Sequence, residues 1–284
     1  MALSGAIAMI AVGDIGVCGA RGDEATARIV DSLLIVDSVA DVQRVVITIG
    51  DNAYRSGGVG PMNAFTRCFA PSWGTPRIMS VIRPSPGNHD YDSGTATPYF
   101  DYFGARAGPP GKGYYSFDVG DWHLISLNSE LYFGRGSPAE AKAQEDWLRR
   151  DLSGNRKRCT LAYFHRPRFS SGSHRGTPEM QTLWSILYDA DADLILNSHE
   201  HDYERFLPQT PAGAVDSARG IPQIVAGTGG AALRGIRSQL APNSVIQIHG
   251  HYGVLKLALG AGEYTHAFLD TEGRVWDAGS GKCH

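Results

Sequence analysis

Three glycine-led pairs carry residue types suited to metal chemistry: Gly13-Asp14, Gly50-Asp51 and Gly87-Asn88. Each follows an apolar run and ends it with glycine and a short oxygen-bearing side chain. Two later apolar runs end in imidazoles, at His165 and at His199-Glu200-His201. Carboxylate, amide and imidazole donors without sulfur favour iron, manganese or zinc over soft copper(I). Taken singly, each block reads as turn chemistry, because Asp and Asn commonly occupy turns. Five blocks at five strand ends read as one metal site.

Buried strands must deliver these groups to a common edge. Short β-branched runs predict strands at Ile7–Val12, Val45–Ile49, Ile78–Ile82, Leu161–Phe164 and Leu194–Leu196. Helical spacing predicts helices over Glu24–Val36, from Ser137-Pro138-Ala139-Glu140 to about Leu152, and after Thr177-Pro178. The last third turns strand-rich, with Gln223–Ala226, Val254–Leu259 and Tyr264–Leu269 separated by glycine-rich turns. Alternation of this kind is α/β, and in open α/β sheets ligands bind beyond the carboxyl ends of the strands. No linker or repeat interrupts the chain, so one domain over residues 1–284 is expected.

Composition limits the function classes. Hydrophobic types make up 42% of the 284 residues, enough for a large core. The 26 basic and 29 acidic residues give a net charge of −3, which offers no electrostatic footprint for nucleic acid and no basic patch for a membrane. The opening apolar stretch has no basic start and runs into Gly13-Asp14, so it reads as a strand rather than a signal peptide. Cys18, Cys68, Cys159 and Cys283 form no Cys-x-x-Cys pair; two disulfides and four free thiols both stay open.

The ordered blocks Gly13-Asp14-Ile15-Gly16, Gly50-Asp51-Asn52-Ala53-Tyr54, Gly87-Asn88-His89-Asp90, His165 and His199-Glu200-His201 resemble the calcineurin-like metallophosphoesterases. Within them the chain is similar to the purple acid phosphatases of small, single-domain bacterial type. Two positions depart from the family pattern: Ala162 replaces a usual valine and Ser198 a usual glycine. The resemblance implies a four-layer αββα sandwich with two mixed β-sheets. It assigns one metal to Asp14, Asp51, Tyr54 and His201, and the other to Asp51, Asn88, His165 and His199. A shared carboxylate agrees with that assignment, because two dications ~3.5–4 Å apart otherwise repel. His199 and His201, two apart on an extended chain, point to the same side.

Tyr54 refines the metal. Ordinary metallophosphoesterases carry histidine where this chain has Gly16, and a phenolate would replace it. Phenol has a pKa near 10, so only a strongly polarising cation deprotonates it. Fe(III) is expected at the tyrosine side, with Fe(II), Zn or Mn at the other. The implied reaction is hydrolysis of small-molecule phosphate monoesters by a metal-bound hydroxide, with His89 protonating the leaving alkoxide and His174 contacting substrate. Asp90 and Glu200 are placed to orient these imidazoles. The alternative is a Zn- or Mn-dependent phosphodiesterase or nucleotidase on the same scaffold.

Other readings are weaker. Neither Ser170 nor Ser171 sits in a Gly-x-Ser-x-Gly elbow, and no P-loop is present. A binding module that has lost catalysis is opposed by the full donor set and His89. His123 reads as structural, His249 and His251 as a surface pair, and Arg205 as a brace. Pocket walls are expected from irregular loops over Ser56–Trp73 and Asp92–Gly111, together with His174. The family's plant members carry a β-sandwich before the catalytic part, for which Asp14 comes too early here. Similar bacterial enzymes are often exported, so a trimmed mature form and a cytoplasmic enzyme are both compatible; the oligomeric state is not readable.

Overall fold

The computed structural model describes residues 6–40, 42–55 and 58–284. The strands in chain order are β1 (Ile7–Val12), β2 (Arg44–Ile49), β3 (Ile82–Ser85), β4 (Tyr115–Val119), β5 (Trp122–Ser126), β6 (Cys159–Tyr163) and β7 (Leu194–Asn197). They continue with β8 (Tyr203–Phe206), β9 (Gln223–Ala226), β10 (Ser244–Ile248), β11 (Gly253–Leu259), β12 (Glu263–Asp270) and β13 (Val275–Lys282). Helices are α1 (Gly22–Val39), α2 (Pro61–Ala64), α3 (Pro76–Val81), α4 (Thr97–Phe103), α5 (Pro138–Gly154) and α6 (Gln181–Asp189). One mixed sheet runs β13-β12-β11-β1-β2-β3 and the other β10-β8-β9-β7-β6-β5-β4.

Side-chain alternation builds the layers. Met9 and Ala11 of β1 face inward, against Leu124, Leu161, Tyr163 and Leu196 of the second sheet. Their neighbours Ile10 and Val12 face outward, onto Val30 and Leu34 of α1. On the second sheet Ile125, Ala162 and Ile195 likewise face Leu148 of α5 and Leu183, Trp184 and Leu187 of α6. Strands apolar on both faces are what a doubly covered parallel sheet requires. Each fully buried aliphatic side chain contributes roughly 1.5–3 kcal/mol. The result is the αββα sandwich with two mixed sheets.

Register fixes where the strands end. Val12 lies beside Thr48, and Thr48 beside Pro84. Ser126 lies beside Tyr163, and Tyr163 beside Leu196. The segments after β1, β2, β3, β6 and β7 therefore emerge along one rim.

Several local expectations change. Residues 78–82 are not a strand: Ile78 belongs to α3, and β3 begins at Ile82. The Thr75 hydroxyl accepts from the Ile78 N–H (3.4 Å) and Pro76 occupies the first turn, so capping prevails over the β-branched run. The supposed irregular walls are also ordered. Residues 61–69 form α2 and a π-helical turn, and 97–107 form α4 and a 3₁₀ turn. Phe65 and Phe69 pack on Phe103 at 5.6 and 5.5 Å between ring centroids. Ser56, where the first wall was expected to begin, and residues 1–5 lie outside the described residues. Two disulfides form, Cys18–Cys68 and Cys159–Cys283. No helix among the described residues is long and apolar enough to cross a membrane.

Candidate metal centre

Backbone strain concentrates at the rim. Asp14, Asp51 and His199 adopt φ of 61°, 48° and 71°, left-handed conformations that cost a non-glycine residue about 1 kcal/mol or more. The glycines beside them permit close approach. A Cβ at Gly87 would lie 2.2 Å from the Asp51 nitrogen, and one at Gly50 would lie 2.6 Å from His165 Nδ1. Strand end, glycine and donor thus act as one unit.

The seven expected ligands come together as two adjoining groups. In the first, the Tyr54 hydroxyl donates to Asp14 Oδ1 (2.8 Å) and lies 3.3 Å from His201 Nε2, which is itself 3.3 Å from Asp14 Oδ1. In the second, His165 Nε2 lies 3.2 Å from Asn88 Oδ1, 3.4 Å from Asp51 Oδ1 and 3.1 Å from His199 Nδ1. One atom each of Asp51, His165 and His199 fall within 4.8 Å of one another. Outer contacts aim two of the imidazoles. His165 Nδ1 lies 3.0 Å from the Ile49 carbonyl, and His201 Nδ1 2.7 Å from the Ala232 carbonyl. A carbonyl can only accept, so both rings carry hydrogen on Nδ1 and turn Nε2 inward.

Electrostatics link the groups. Burial, then the charges of Asp14 and Asp51, push the Tyr54 phenol well above its ordinary value of 10. Burial alone would raise Asp51, but the surrounding imidazoles, His165 foremost, hold it far below the carboxylate range. Burial opposes charge on His165, yet Asp51 outweighs it and pushes the ring up to about 9. His199 moves the other way, depressed by burial and then by His165 and Arg166. Asp51 therefore acts on both groups. The residues fit a pair of cations: His165 and His201 turn Nε2 inward beside carboxylate, amide and phenol oxygens, a nitrogen-and-oxygen donor set of the kind a cation takes once the imidazoles give up their protons.

Two further imidazoles flank these groups. His89 packs its ring 4.4 Å from Tyr54, with Nε2 4.0 Å from Asp51 Oδ2 and Nδ1 3.1 Å from Asp92 Oδ2. His174 stacks on His199 (4.7 Å, 25°), with Nδ1 3.5 Å from Glu200 Oε2. Burial and then the Arg234 guanidinium lower the His174 pKa. Glu200 thus sits beside an imidazole as expected. Asp90 does not: its carboxylate accepts from the Asn52 N–H (3.1 Å), the Asn52 amide (2.9 Å) and the Gly87 N–H (2.8 Å), pinning two ligand loops together. Asp92 contacts His89 in its place.

Sequence reasoning passed over Arg166. Its guanidinium is clamped by buried Glu130 (Nε–Oε1 2.8 Å, Nη2–Oε2 3.1 Å), lies over Phe133, and brings Nη1 within 3.1 Å of His199 Nε2. Adjacency to His165 was the available signal; Glu130, 36 positions away in sequence, gave none. Arg205 is a brace, bound to Asp277 at 2.7 and 3.0 Å. His251 lies against Trp276 (4.1 Å).

The sequence pattern of the calcineurin-like phosphoesterases matches residues 8–203. Human acid phosphatase type 7 is 26% identical over 248 residues, covering 71% of this chain and 55% of the relative. Purple acid phosphatase 18 of Arabidopsis thaliana is 31% identical over 147 residues, 45% of this chain and 32% of the relative. The chain thus spans about half or less of the length of these curated relatives. Among solved structures, purple acid phosphatase PPD1 of yellow lupin shares the fold with a TM-score of 0.76 at 19% identity, over 97% of this chain and 53% of that one. GAP50, the anchor in the inner membrane complex of Plasmodium, also gives 0.76, at 15% identity, over 98% and 89%.

Proposed function

The chain belongs to the calcineurin-like phosphoesterase family, and on that premise we propose that it is a metal-dependent phosphatase hydrolysing phosphate monoesters at a binuclear centre. One observation carries the reading. Two imidazole nitrogens, 3.1 Å apart, face Asp51 and Asn88 with the Asp14–Tyr54–His201 group alongside. Since GAP50 is described as an anchor, the fold alone does not decide activity; the donor set supports it.

Asp14, Asp51, Tyr54 and His201 would hold one cation, taken as Fe(III), and Asp51, Asn88, His165 and His199 the other, taken as Fe(II), Zn or Mn. When bound, such a pair neutralises phosphate charge and makes water acidic enough to serve as a nucleophile near neutral pH. The protein supplies the rest. His89, with Nδ1 against Asp92, keeps Nε2 for delivering a proton to the leaving oxygen. His174 and Arg166 face the space above His199, where a phosphate oxygen would be received. Ligation through His199 Nδ1 would place its proton on Nε2, a donor facing the donor Arg166 Nη1. The arginine contact would then break and free an N–H for the anion. The two disulfides support an oxidising compartment.

The test is turnover of a generic aryl phosphate by metal-loaded protein, with Asn88→Ala as control. A rate no higher than the control would overturn the reading. A phenolate–iron band in the visible, lost in Tyr54→Phe, supports iron. A colourless, iron-free and fully active enzyme would instead support the Zn- or Mn-dependent alternative.

A further inference from the structure

Both sheets end on the same flank, β3 closing one and β4 the other. A groove of about 1060 Å³ runs along that flank, with Arg83 from β3 facing Tyr115 and Phe117 from β4. Such a volume suits a small molecule rather than a single ion. We propose that this groove is a second binding site, for a planar aromatic ring carrying a phosphate or phosphonate, a ligand of nucleotide size.

Charge is the first argument. Arg83, Arg106, Lys112 and Arg150 line the groove and no carboxylate does, in a chain whose net charge is −3. Among the described residues none of these four cations forms an ion pair. Two are held in place by main chain: Arg83 Nη1 donates to the Ile82 carbonyl (2.9 Å) and Arg106 Nε to the Met79 carbonyl (2.8 Å). Their remaining N–H groups have no carboxylate partner among the described residues. Asp151, partly buried beside the groove residue Ser116, is occupied by His123 and the Ser116 hydroxyl. Four cations without an ion-pair partner around one concavity attract an anion.

Ring geometry is the second. Tyr115 and Phe117 stack at 6.2 Å and 25°, with Arg83 5.4 Å above Phe117. Trp147 of α5 tilts against Tyr114 at 5.0 Å and remains partly exposed. Alternating aromatic faces and guanidinium groups recognise a flat ring and its oxyanion together.

The site uses none of the groups proposed to hold the cations, so it stands or fails apart from that reading. It nevertheless adjoins them. The Tyr115 hydroxyl donates to the Pro84 carbonyl (2.8 Å), and the Asn128 amide joins the Lys112 carbonyl (3.0 Å) to the Tyr91 hydroxyl (2.7 Å), three positions beyond Asn88.

The probe is the 5′-methylenephosphonate analogue of AMP, in which carbon replaces the ester oxygen and resists hydrolysis. It is titrated calorimetrically into the metal-loaded protein and into a Lys112→Gln/Arg150→Gln variant, whose exposed positions tolerate the change. The expected result is at least tenfold weaker binding by the variant, with its thermal midpoint and basal turnover unchanged. Adenosine, lacking the anion, and methylphosphonate, lacking the ring, should each bind wild type at least tenfold more weakly. Equal affinity in the variant would overturn the proposal. So would loss of probe binding in Asp51→Ala, which would place the probe at the metal centre.

Discussion

Two places in this molecule set imidazole against aspartate, and they end differently. His123 lies between Asp118 and Asp151, with Nδ1 2.7 Å from one carboxylate and Nε2 2.8 Å from the other. Each ring nitrogen has an acceptor. Burial opposes its charge, but the two carboxylates win and raise its pKa above 6.5. At the strand ends His165 and His201 satisfy one nitrogen each on a carbonyl and turn the other toward neighbouring donors. One cluster is closed by protein alone. The other, on the proposed reading, would be completed by cations. Residue types do not separate the two; the crowding does, since His165 Nε2 meets Asn88 Oδ1, Asp51 Oδ1 and a second imidazole nitrogen, His199 Nδ1, within 3.4 Å, whereas each His123 nitrogen meets one carboxylate.

The largest expected effect tests this difference directly. Asp51→Ala should lower aryl phosphate turnover by about 10³-fold or more, as expected when a preorganised electrostatic group is removed. His123→Gln should leave turnover within about twofold, because His123 contacts Asp118 and Asp151 and shares no partner with the centre. Equal losses in both would erase the distinction. Tyr54→Phe should remove any visible phenolate band and cost about 10–100-fold in turnover, the range for groups that tune a metal site. Retention of the band would remove the tyrosine from the ligand set.

Arg166→Lys sharpens the account of the rim. A lysine cannot reproduce the forked contact with Glu130, so KM should rise by about tenfold with a smaller change in kcat. A kcat loss with KM unchanged would assign the arginine to the transition state alone.

The smallest effect concerns stability. His123 has a raised folded pKa, so its ion pairs stabilise fully below the unfolded value of 6.5. That contribution is lost as pH rises through the folded pKa. Urea unfolding should show wild type ahead of His123→Gln by roughly 1 kcal/mol at pH 5.5, and by less at pH 9. A gap that widens with pH would contradict the closed ion triad.

The sequence was most legible where chemistry and strand ends coincide. Gly-Asp and Gly-Asn after buried runs located Asp14, Asp51 and Asn88, because a residue type and a backbone break had to agree at each. The layering came from resemblance, since alternation by itself implies only α/β. The walls were hidden: Phe65, Phe69, Tyr99 and Phe103 sit at helical spacing within glycine- and proline-rich stretches. Ile78–Ile82 misled because β-branched composition outweighed the Thr75-Pro76 cap in the reading, whereas the reverse holds in the fold. Glu130 was invisible for a simpler reason: its partnership with Arg166 exists only after β5 and β6 pair.

Metal content per chain decides the central claim. Purified wild type and His123→Gln, loaded and then desalted, should each retain two metal ions by elemental analysis, while Asp51→Ala should retain fewer than one. Equal content in Asp51→Ala and wild type would show that the aspartate between the two donor groups does not hold the ions together.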